Sequence, residues 1–260
     1  MSNIHYKSEK LLQFYSKHRN SWDSLYPSER WVFDRVVREL EQNNVLHILD
    51  VGAACGGLYS ALKERIDQFD YVGLDINEAM IEWAKQNHDS PNAKFECLDA
   101  AALAETQFPS NLVVSLSCAD WNVETHSILD ACWKQLRPGG QLVISLRLTN
   151  LESINDIERS YQYIDAIDGS DVESRGEKAN YVVLNWRDSL QMLADLNGAE
   201  TILQYGYWGA PSSSAVTEFE RLCFTVCAVR KSVDEDFRGS PRCELHLPQD
   251  LFDSPSTARN

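Results

Sequence analysis

The chain of 260 residues lacks the patterns of a metal site, a membrane span and a nucleic-acid surface. Its seven cysteines include no Cys-x-x-Cys pair and its six histidines do not cluster with them, so we predict no metal site. The longest apolar runs have the length of a strand, which excludes a membrane-spanning helix. The net charge is −15 without any lysine- or arginine-rich run, so neither a nucleic acid nor an anionic membrane is expected as a partner.

The first residues also lack the apolar region of a secretion signal, and we therefore expect a cytoplasmic protein. At 260 residues the chain could form one large domain or two small ones, and it can bury a full core either way. Because a basic surface for polymers is missing, a small molecule is the better candidate for a substrate.

The most informative segment is residues 46–57, Leu-His-Ile-Leu-Asp-Val-Gly-Ala-Ala-Cys-Gly-Gly. An apolar strand ends in Asp50 and Gly52 and leads into a turn of small residues that opens a helix. Open α/β sheets build nucleotide pockets in this way, since the strand brings a carboxylate to the sheet edge and a glycine admits a ligand to the backbone. Alone, this turn is a weak signal.

Three later segments strengthen the prediction of a nucleotide pocket. Tyr71-Val72-Gly73-Leu74-Asp75 is a short strand whose acid lies 23 residues beyond Gly52, the spacing of a ribose-binding acid. A further strand over residues 95–98 ends in Asp99, and residues 136–144 contain a helix end, a Pro-Gly-Gly turn and a buried strand.

With these four segments in this order, the chain resembles the class I S-adenosylmethionine-dependent methyltransferases over roughly residues 30–230. The resemblance implies S-adenosyl-L-methionine as cofactor, with the segment Asp50–Gly57 around its methionine part. It also implies that Asp75 binds the ribose hydroxyls and that Asp99 accepts from the adenine amino group. The predicted cofactor-binding residues are Asp50, Gly52, Ala53, Asp75, Ile76, Asp99, Ala100 and Ser117. One departure is Ala54, which replaces the middle glycine of the family's G-x-G-x-G loop; we expect it to keep a negative φ.

Strands and helices alternate through the first five strands, which predicts an α/β fold with a doubly wound, mostly parallel sheet. The resemblance implies a Rossmann-like sheet of seven strands with an antiparallel last strand. We expect an N-terminal helical lid over residues 1–44, a methyltransferase domain over 45–231 with an insert near 147–184, and a polar, loosely ordered tail over 232–260. Tyr15, Arg19, Trp22 and Tyr26 either line the lid or pack against the sheet edge.

Acceptor-facing residues are expected after the fourth strand, because ligands of α/β sheets bind beyond the carboxyl ends of the strands. His126 and Asp120 are the predicted catalytic residues, acting as a base on a small hydroxyl acceptor such as a sugar or metabolite. The alternatives are a solvated His126 in the first turn of a helix and a helix-capping Asp120. An amine acceptor, which needs no base, also stays open.

Two other functions compete with methyl transfer. A nicotinamide-dependent reductase is disfavoured because Ala54 interrupts the glycine pattern and no Tyr-x-x-x-Lys follows the fourth strand. A non-catalytic methyltransferase-like binding domain is disfavoured because Asp50, Asp75 and Asp99 are all present.

Overall fold

A twisted nine-stranded sheet lies at the centre of the structure. The computed structural model describes residues 9–40, 45–122, 124–164 and 177–253. The strands are β1 (Leu46–Val51), β2 (Phe69–Asp75), β3 (Ala93–Cys97), β4 (Ser110–Ser115), β5 (Leu136–Thr149), β6 (Tyr161–Tyr163), β7 (Lys178–Asn180), β8 (Leu184–Asn185), β9 (Ala199–Gly209), β10 (Ala215–Val216), β11 (Leu222–Lys231) and β12 (Arg242–His246). The helices are α1 (Glu9–Tyr15), α2 (Pro27–Leu40), α3 (Gly57–Lys63), α4 (Glu78–Asn87), α5 (Thr125–Lys134) and α6 (Trp186–Ala194).

The large sheet has the strand order β12-β9-β11-β5-β4-β1-β2-β3, and β8 pairs with β5. Strands β1 to β5 pair in parallel, whereas β11 runs antiparallel to both β5 and β9. The predicted mostly parallel sheet with antiparallel β11 is therefore confirmed, and it has nine strands rather than seven because β8 and β12 add to it. Strands β6, β7 and β10 form a separate small sheet.

Helices cover both faces of the large sheet. Successive residues of β1 enter different apolar clusters, because side chains alternate along a strand. Ile48 packs in the cluster that contains Leu62 of α3, and Leu49 packs in the one that contains Leu129 of α5. This double burial explains why β1 reads as an almost continuous apolar run and why its polar end must lie at the sheet edge. No helix in the described part of the chain has the length and apolarity needed to cross a bilayer.

Side-chain caps begin α4 and α6. The side chain of Asn77 accepts a hydrogen bond from the N–H of Met80, and that of Asn185 accepts from the N–H of Arg187. The fifth strand differs from the prediction: it begins at Leu136 rather than Gln141 and continues through the Pro-Gly-Gly turn.

The C-terminal segment departs most from the sequence prediction. The expectation of a loosely ordered tail is wrong for β12, which pairs in parallel with β9 at the sheet edge. Leu251 is completely buried in the main core, and Asp250 accepts hydrogen bonds from Trp208 and Arg221. The polar composition of this segment gave no indication that Leu251 is buried in the core. Residues 1–8, 41–44 and 254–260 of the predicted lid and tail, and 165–176 of the insert, lie outside the described residues.

Candidate functional site

A cavity of about 1050 Å³ opens at the carboxyl ends of β1, β2 and β4. We call it the cofactor cavity. It brings together all eight residues that the sequence predicts for cofactor binding. They are Asp50, Gly52, Ala53, Asp75, Ile76, Asp99, Ala100 and Ser117.

Asp75 is half-buried on the cavity wall at the end of β2. One carboxylate oxygen accepts the N–H of Ala54 at 2.8 Å and the other accepts the N–H of Asn77 at 2.8 Å. Burial raises the pKa of Asp75, and these backbone donors partly oppose the rise. Each oxygen has a second lone pair, so the fixed carboxylate fits the two hydroxyl donors of a ribose.

Asp99 takes the corresponding position after β3. Its side chain accepts the N–H of Ala101 at 2.9 Å and so begins a short 3₁₀ helix beside the cavity. An anchored carboxylate of this kind fits an exocyclic amino donor. The donor set of the cavity therefore fits S-adenosylmethionine.

Asp50 is a buried acid at the end of β1, with 3% of its surface exposed. The hydroxyl of Tyr71 donates to it, and burial raises the pKa of Asp50 to about 7 although Tyr71 and Arg19 both lower it. An acid held at such cost in a cavity is typical of a binding site, and here it would face the cationic methionine part of the cofactor.

Gly52 is required by its neighbours as well as by its turn. Its φ is +86°, and a Cβ at this position would lie 2.5 Å from the Cβ of Cys118. The sequence argument assigned this glycine to close approach of a ligand. The structure adds a second reason, because the strand end after β4 packs directly against it.

Ala54 does not keep the negative φ that we expected; its φ is +47°. This left-handed conformation costs an L-residue roughly 1–2 kcal/mol, and it points the Ala54 N–H at Asp75. The described residues contain three non-glycine residues with positive φ, namely Arg19, Ala54 and Ser117. All three line the cofactor cavity, and such concentration of strain is typical of functional sites.

The N-terminal segment crosses the cofactor loop at Gly57. A Cβ on Gly57 would lie 2.1 Å from the carbonyl oxygen of His18, so this glycine permits the segment to lie against the start of α3. Tyr15, His18 and Arg19 consequently reach the cavity. Trp22 is instead buried in the core and Tyr26 is half-exposed. Of these four N-terminal residues, Tyr15 and Arg19 thus line the cavity and Trp22 packs in the core.

A second cavity of about 1200 Å³ adjoins the first. We call it the acceptor cavity. Five residues line both cavities and form their shared wall: Tyr15, His18, Arg19, Ser117 and Trp121.

Arg19 links three parts of the shared wall. Its guanidinium donates to one oxygen of Glu29 through Nε at 3.0 Å and Nη2 at 2.7 Å, and Nη2 also donates to the hydroxyl of Ser117 at 2.9 Å. The second Glu29 oxygen accepts the N–H of Tyr26. Burial lowers the pKa of Arg19, but Glu29 raises it above its ordinary value, so the group stays charged.

A second buried guanidinium, that of Arg147 on β5, lines the acceptor cavity. Its Nη1 donates to the carbonyl oxygen of Asp120 at 2.8 Å and lies 3.2 Å from the Asp120 carboxylate. The guanidinium is stacked 3.8 Å above the ring of Tyr181. Burial raises the pKa of Asp120 while the charge of Arg147 lowers it. Asp120 therefore reaches the acceptor cavity as the partner of an arginine.

His126 does not reach either cavity. It lies in the first turn of α5, is mostly exposed, and its Nδ1 is 3.7 Å from the carboxylate of Asp130 one turn later. The structure thus places the two predicted catalytic residues apart, and its arrangement of His126 matches the alternative of a solvated helix residue.

Sequence reasoning missed Arg147 and underused Arg19. One signal was available, because Arg147 interrupts the apolar run Leu142–Leu148 of a strand buried on both sides. A charged residue in such a strand must have a partner or a ligand. The pairing with Asp120 is set by tertiary contacts and has no signal in the sequence.

Comparisons with known proteins agree with this site. A family model described as a methyltransferase domain matches residues 48–140. The malonyl-[acyl-carrier protein] O-methyltransferase of Marinomonas sp. (strain MWYL1) is 23% identical over 204 residues, which cover 73% of this chain and 75% of that protein. The tRNA 5-carboxymethoxyuridine methyltransferase of Escherichia coli (strain K12) is 28% identical over 141 residues and is covered to 52%, so the chain spans about half of it.

Solved structures show the same fold. The N-methyltransferase NodS from Bradyrhizobium japonicum WM9, in complex with S-adenosyl-L-homocysteine, superposes with a TM-score of 0.50 at 15% identity, covering 88% of this chain and 99% of that one. The matched domain and the methyltransferase relatives support a class I S-adenosylmethionine-dependent methyltransferase with S-adenosylmethionine as its cofactor, and the sheet order and the solved structure show the corresponding fold.

Proposed function

We propose that this methyltransferase transfers the methyl group to a carboxylate oxygen of a small acceptor bound in the acceptor cavity. The observation that carries the proposal is the pair of buried guanidinium groups, Arg19 and Arg147, on the wall of that cavity. In a chain of net charge −15, both arginines are buried; Arg19 also lines the cofactor cavity, whereas Arg147 lines only the acceptor cavity. Guanidinium groups bind carboxylates with matched, charge-assisted hydrogen bonds.

The acid partners of the arginines support this role. Glu29 and Asp120 hold the guanidinium groups in place, and Glu29 keeps Arg19 charged despite its burial. Within the described chain, the hydrogen bonds of Arg19 use Nε and Nη2. The Nη1 donors of Arg19 can then bind an incoming carboxylate.

The protonation states of the groups that line the acceptor cavity also favour a carboxylate as the acceptor. A hydroxyl acceptor requires a base, yet His18 on the shared wall has its pKa lowered by burial and by Arg19 to about 3. Asp120 is paired with Arg147, and His126 lies elsewhere. A carboxylate is already ionised at neutral pH and needs no base.

The relatives agree with this choice. The malonyl group and the carboxymethoxy group in their names both end in a carboxyl group. Their carrier protein and RNA are not carried over, because an RNA backbone would be repelled by a chain of net charge −15.

The bound cofactor supplies a methyl group that its sulfonium already activates for displacement. The protein's own contribution is therefore to bind, orient and exclude water, and good orientation alone is worth roughly 7–11 kcal/mol. Ser117 and Trp121 on the shared wall would set the approach of the acceptor. We propose further that the N-terminal segment with Tyr15 and Arg19 acts as a lid over both cavities.

The test uses S-adenosylmethionine with a labelled methyl group and a panel of carboxylic acids, alcohols and amines. A methyl ester releases labelled methanol in mild alkali, whereas methyl ethers and methylamines are stable. We expect alkali-labile product. A product that is entirely alkali-stable contradicts the proposal and favours the hydroxyl or amine acceptor.

Variants test whether Arg147 binds the acceptor. Arg147→Gln combined with Asp120→Asn leaves no buried unpaired charge, and we expect it to raise the acceptor KM by at least about tenfold with unchanged cofactor affinity. Arg187→Gln, an exposed arginine on α6, is the matched control. Equal acceptor KM values in the two variants would mean that Arg147 does not bind the acceptor.

A further inference from the structure

Aromatic rings form several sides of the acceptor cavity. Tyr207 and Phe224 lie on neighbouring strands with ring centroids 6.3 Å apart. Trp121 and Tyr181 flank the Arg147 guanidinium, with ring centroids 5.7 and 3.8 Å from it. Such walls are complementary to a ring-shaped acceptor, because flat faces pack well against the C–H face of another ring.

Phe14, Tyr15 and Tyr26 bring further rings from the N-terminal segment to the same cavity. The ring of His18 joins them, stacked 5.0 Å from Phe14 and tilted at 5.8 Å from Tyr26. The aromatic lining therefore comes from both the sheet and the segment that crosses it, which indicates that the acceptor is enclosed between the two.

The acceptor cavity also contains polar groups between the rings, more than a simple aromatic acid could hydrogen-bond. The side-chain amide of buried Gln162 donates to the hydroxyls of Ser212 at 3.1 Å and Ser214 at 2.9 Å. The N–H of Ser212 points to the hydroxyl of Tyr181 at 3.5 Å. Gln162, Ser212 and Tyr181 all line the acceptor cavity.

These groups hydrogen-bond to one another, but each hydroxyl can donate or accept a further hydrogen bond. An acceptor without hydroxyl groups would leave that capacity unused, whereas a hydroxylated ring would use it. The combination of ring faces, hydroxyl and amide groups, and guanidinium groups thus matches three features of one molecule: a ring, its hydroxyls and a carboxylate.

We infer that the acceptor is a polyhydroxylated ring acid, a sugar acid whose carboxylate lies on the side of Arg19 and Arg147 and whose hydroxyls lie toward Gln162, Ser212 and Tyr181. The inference rests on the proposed carboxylate methylation and adds the chemical class of the acceptor. It assigns Gln162 as a specificity-determining residue for the hydroxylated ring.

The test compares matched ligands by calorimetry in the presence of S-adenosylhomocysteine. D-glucuronate and D-galacturonate are each paired with the neutral sugar, D-glucose or D-galactose, and with cyclohexanecarboxylate, which keeps the ring and the carboxylate but has no hydroxyls. We expect at least one uronate to bind about tenfold or more tightly than both its neutral sugar and cyclohexanecarboxylate.

The outcomes separate the two proposals. If cyclohexanecarboxylate binds as tightly as either uronate, the sugar-acid inference is overturned while carboxylate methylation stands. If neither uronate binds more tightly than its neutral sugar, the inference is overturned as well. If no carboxylic acid is methylated but neutral sugars are, the proposed function itself fails.

A variant pair tests Gln162 directly. Gln162→Leu keeps the size of the side chain and removes its amide, and we expect it to weaken the bound uronate about tenfold with little change for cyclohexanecarboxylate. Gln191→Leu, an exposed glutamine on α6, is the control. A purely structural role for Gln162 predicts equal losses for both ligands, and that result would exclude it as a specificity residue.

Discussion

The phenol hydroxyl of Tyr71 donates a hydrogen bond of 2.5 Å to the carboxylate of Asp50, and both side chains are buried between β1 and β2. Both residues affect the stability of the fold. Burial raises the pKa of Asp50 to about 7, so the ionised form is costly in the folded state and much less so in the unfolded chain. The end of β1 thus gives up stability in order to present a carboxylate to the cofactor cavity.

Asp50→Asn should therefore stabilise the ligand-free protein, and more so at high pH. An unfolded aspartate titrates near 4 and the folded one near 7, so the ionisation cost grows as pH rises between these values and is constant above. We expect a gain of up to about 4 kcal/mol at pH 8 and about half of it at pH 5.5, measured by urea unfolding. Tyr71→Phe should act in the opposite direction. An equal gain at both pH values would contradict the assigned titration.

Asp75→Asn should weaken S-adenosylmethionine binding about ten- to a hundredfold in calorimetry. The variant replaces charge-assisted hydrogen bonds to the ribose with neutral ones and retains an oxygen for the N–H of Ala54 or Asn77. Asp70→Asn, on the same strand but half-exposed and next to His47, is the control and should bind normally. Unchanged affinity in Asp75→Asn would exclude this acid as the ribose ligand.

Ala54→Gly should stabilise the protein by about 0.5–1 kcal/mol. It relieves the left-handed strain at φ +47°, although glycine gains more freedom in the unfolded chain. Ala79→Gly, at an exposed position in α4, should instead destabilise by up to about 1 kcal/mol. Urea unfolding of both variants checks the opposite signs, and a loss of stability in Ala54→Gly would mean that the loop is not strained.

Leu251→Ala should destabilise the protein by about 2–5 kcal/mol, the usual cost of removing a fully buried leucine side chain. Val233→Ala removes a side chain that is 69% exposed and should change stability by no more than about 0.5 kcal/mol. If both variants unfold at the same urea concentration as the unmodified protein, the C-terminal segment does not dock as described.

The cofactor cavity was predictable from the sequence because its parts are local. Asp50 and Asp75 lie at the ends of β1 and β2, Asp99 lies just beyond β3, and parallel strands necessarily bring their carboxyl ends to one edge. The φ of Ala54 was not predictable, because the loop conformation depends on the Asp75 carboxylate one strand away. The prediction for the tail was wrong for a similar reason, because the burial of Leu251 is a tertiary contact that orders the segment despite its polar composition.

The sequence by itself determined the α/β sheet, which follows from periodicity, and its resemblance to a known family indicated the cofactor and the acids at the strand ends proposed to bind it. Only the tertiary structure decided the acceptor side. It paired Arg147 with Asp120 and Arg19 with Glu29, and it placed His126 outside both cavities. These relationships join residues from different elements, and such contacts are selected by packing and burial of the whole chain, for which no local pattern exists.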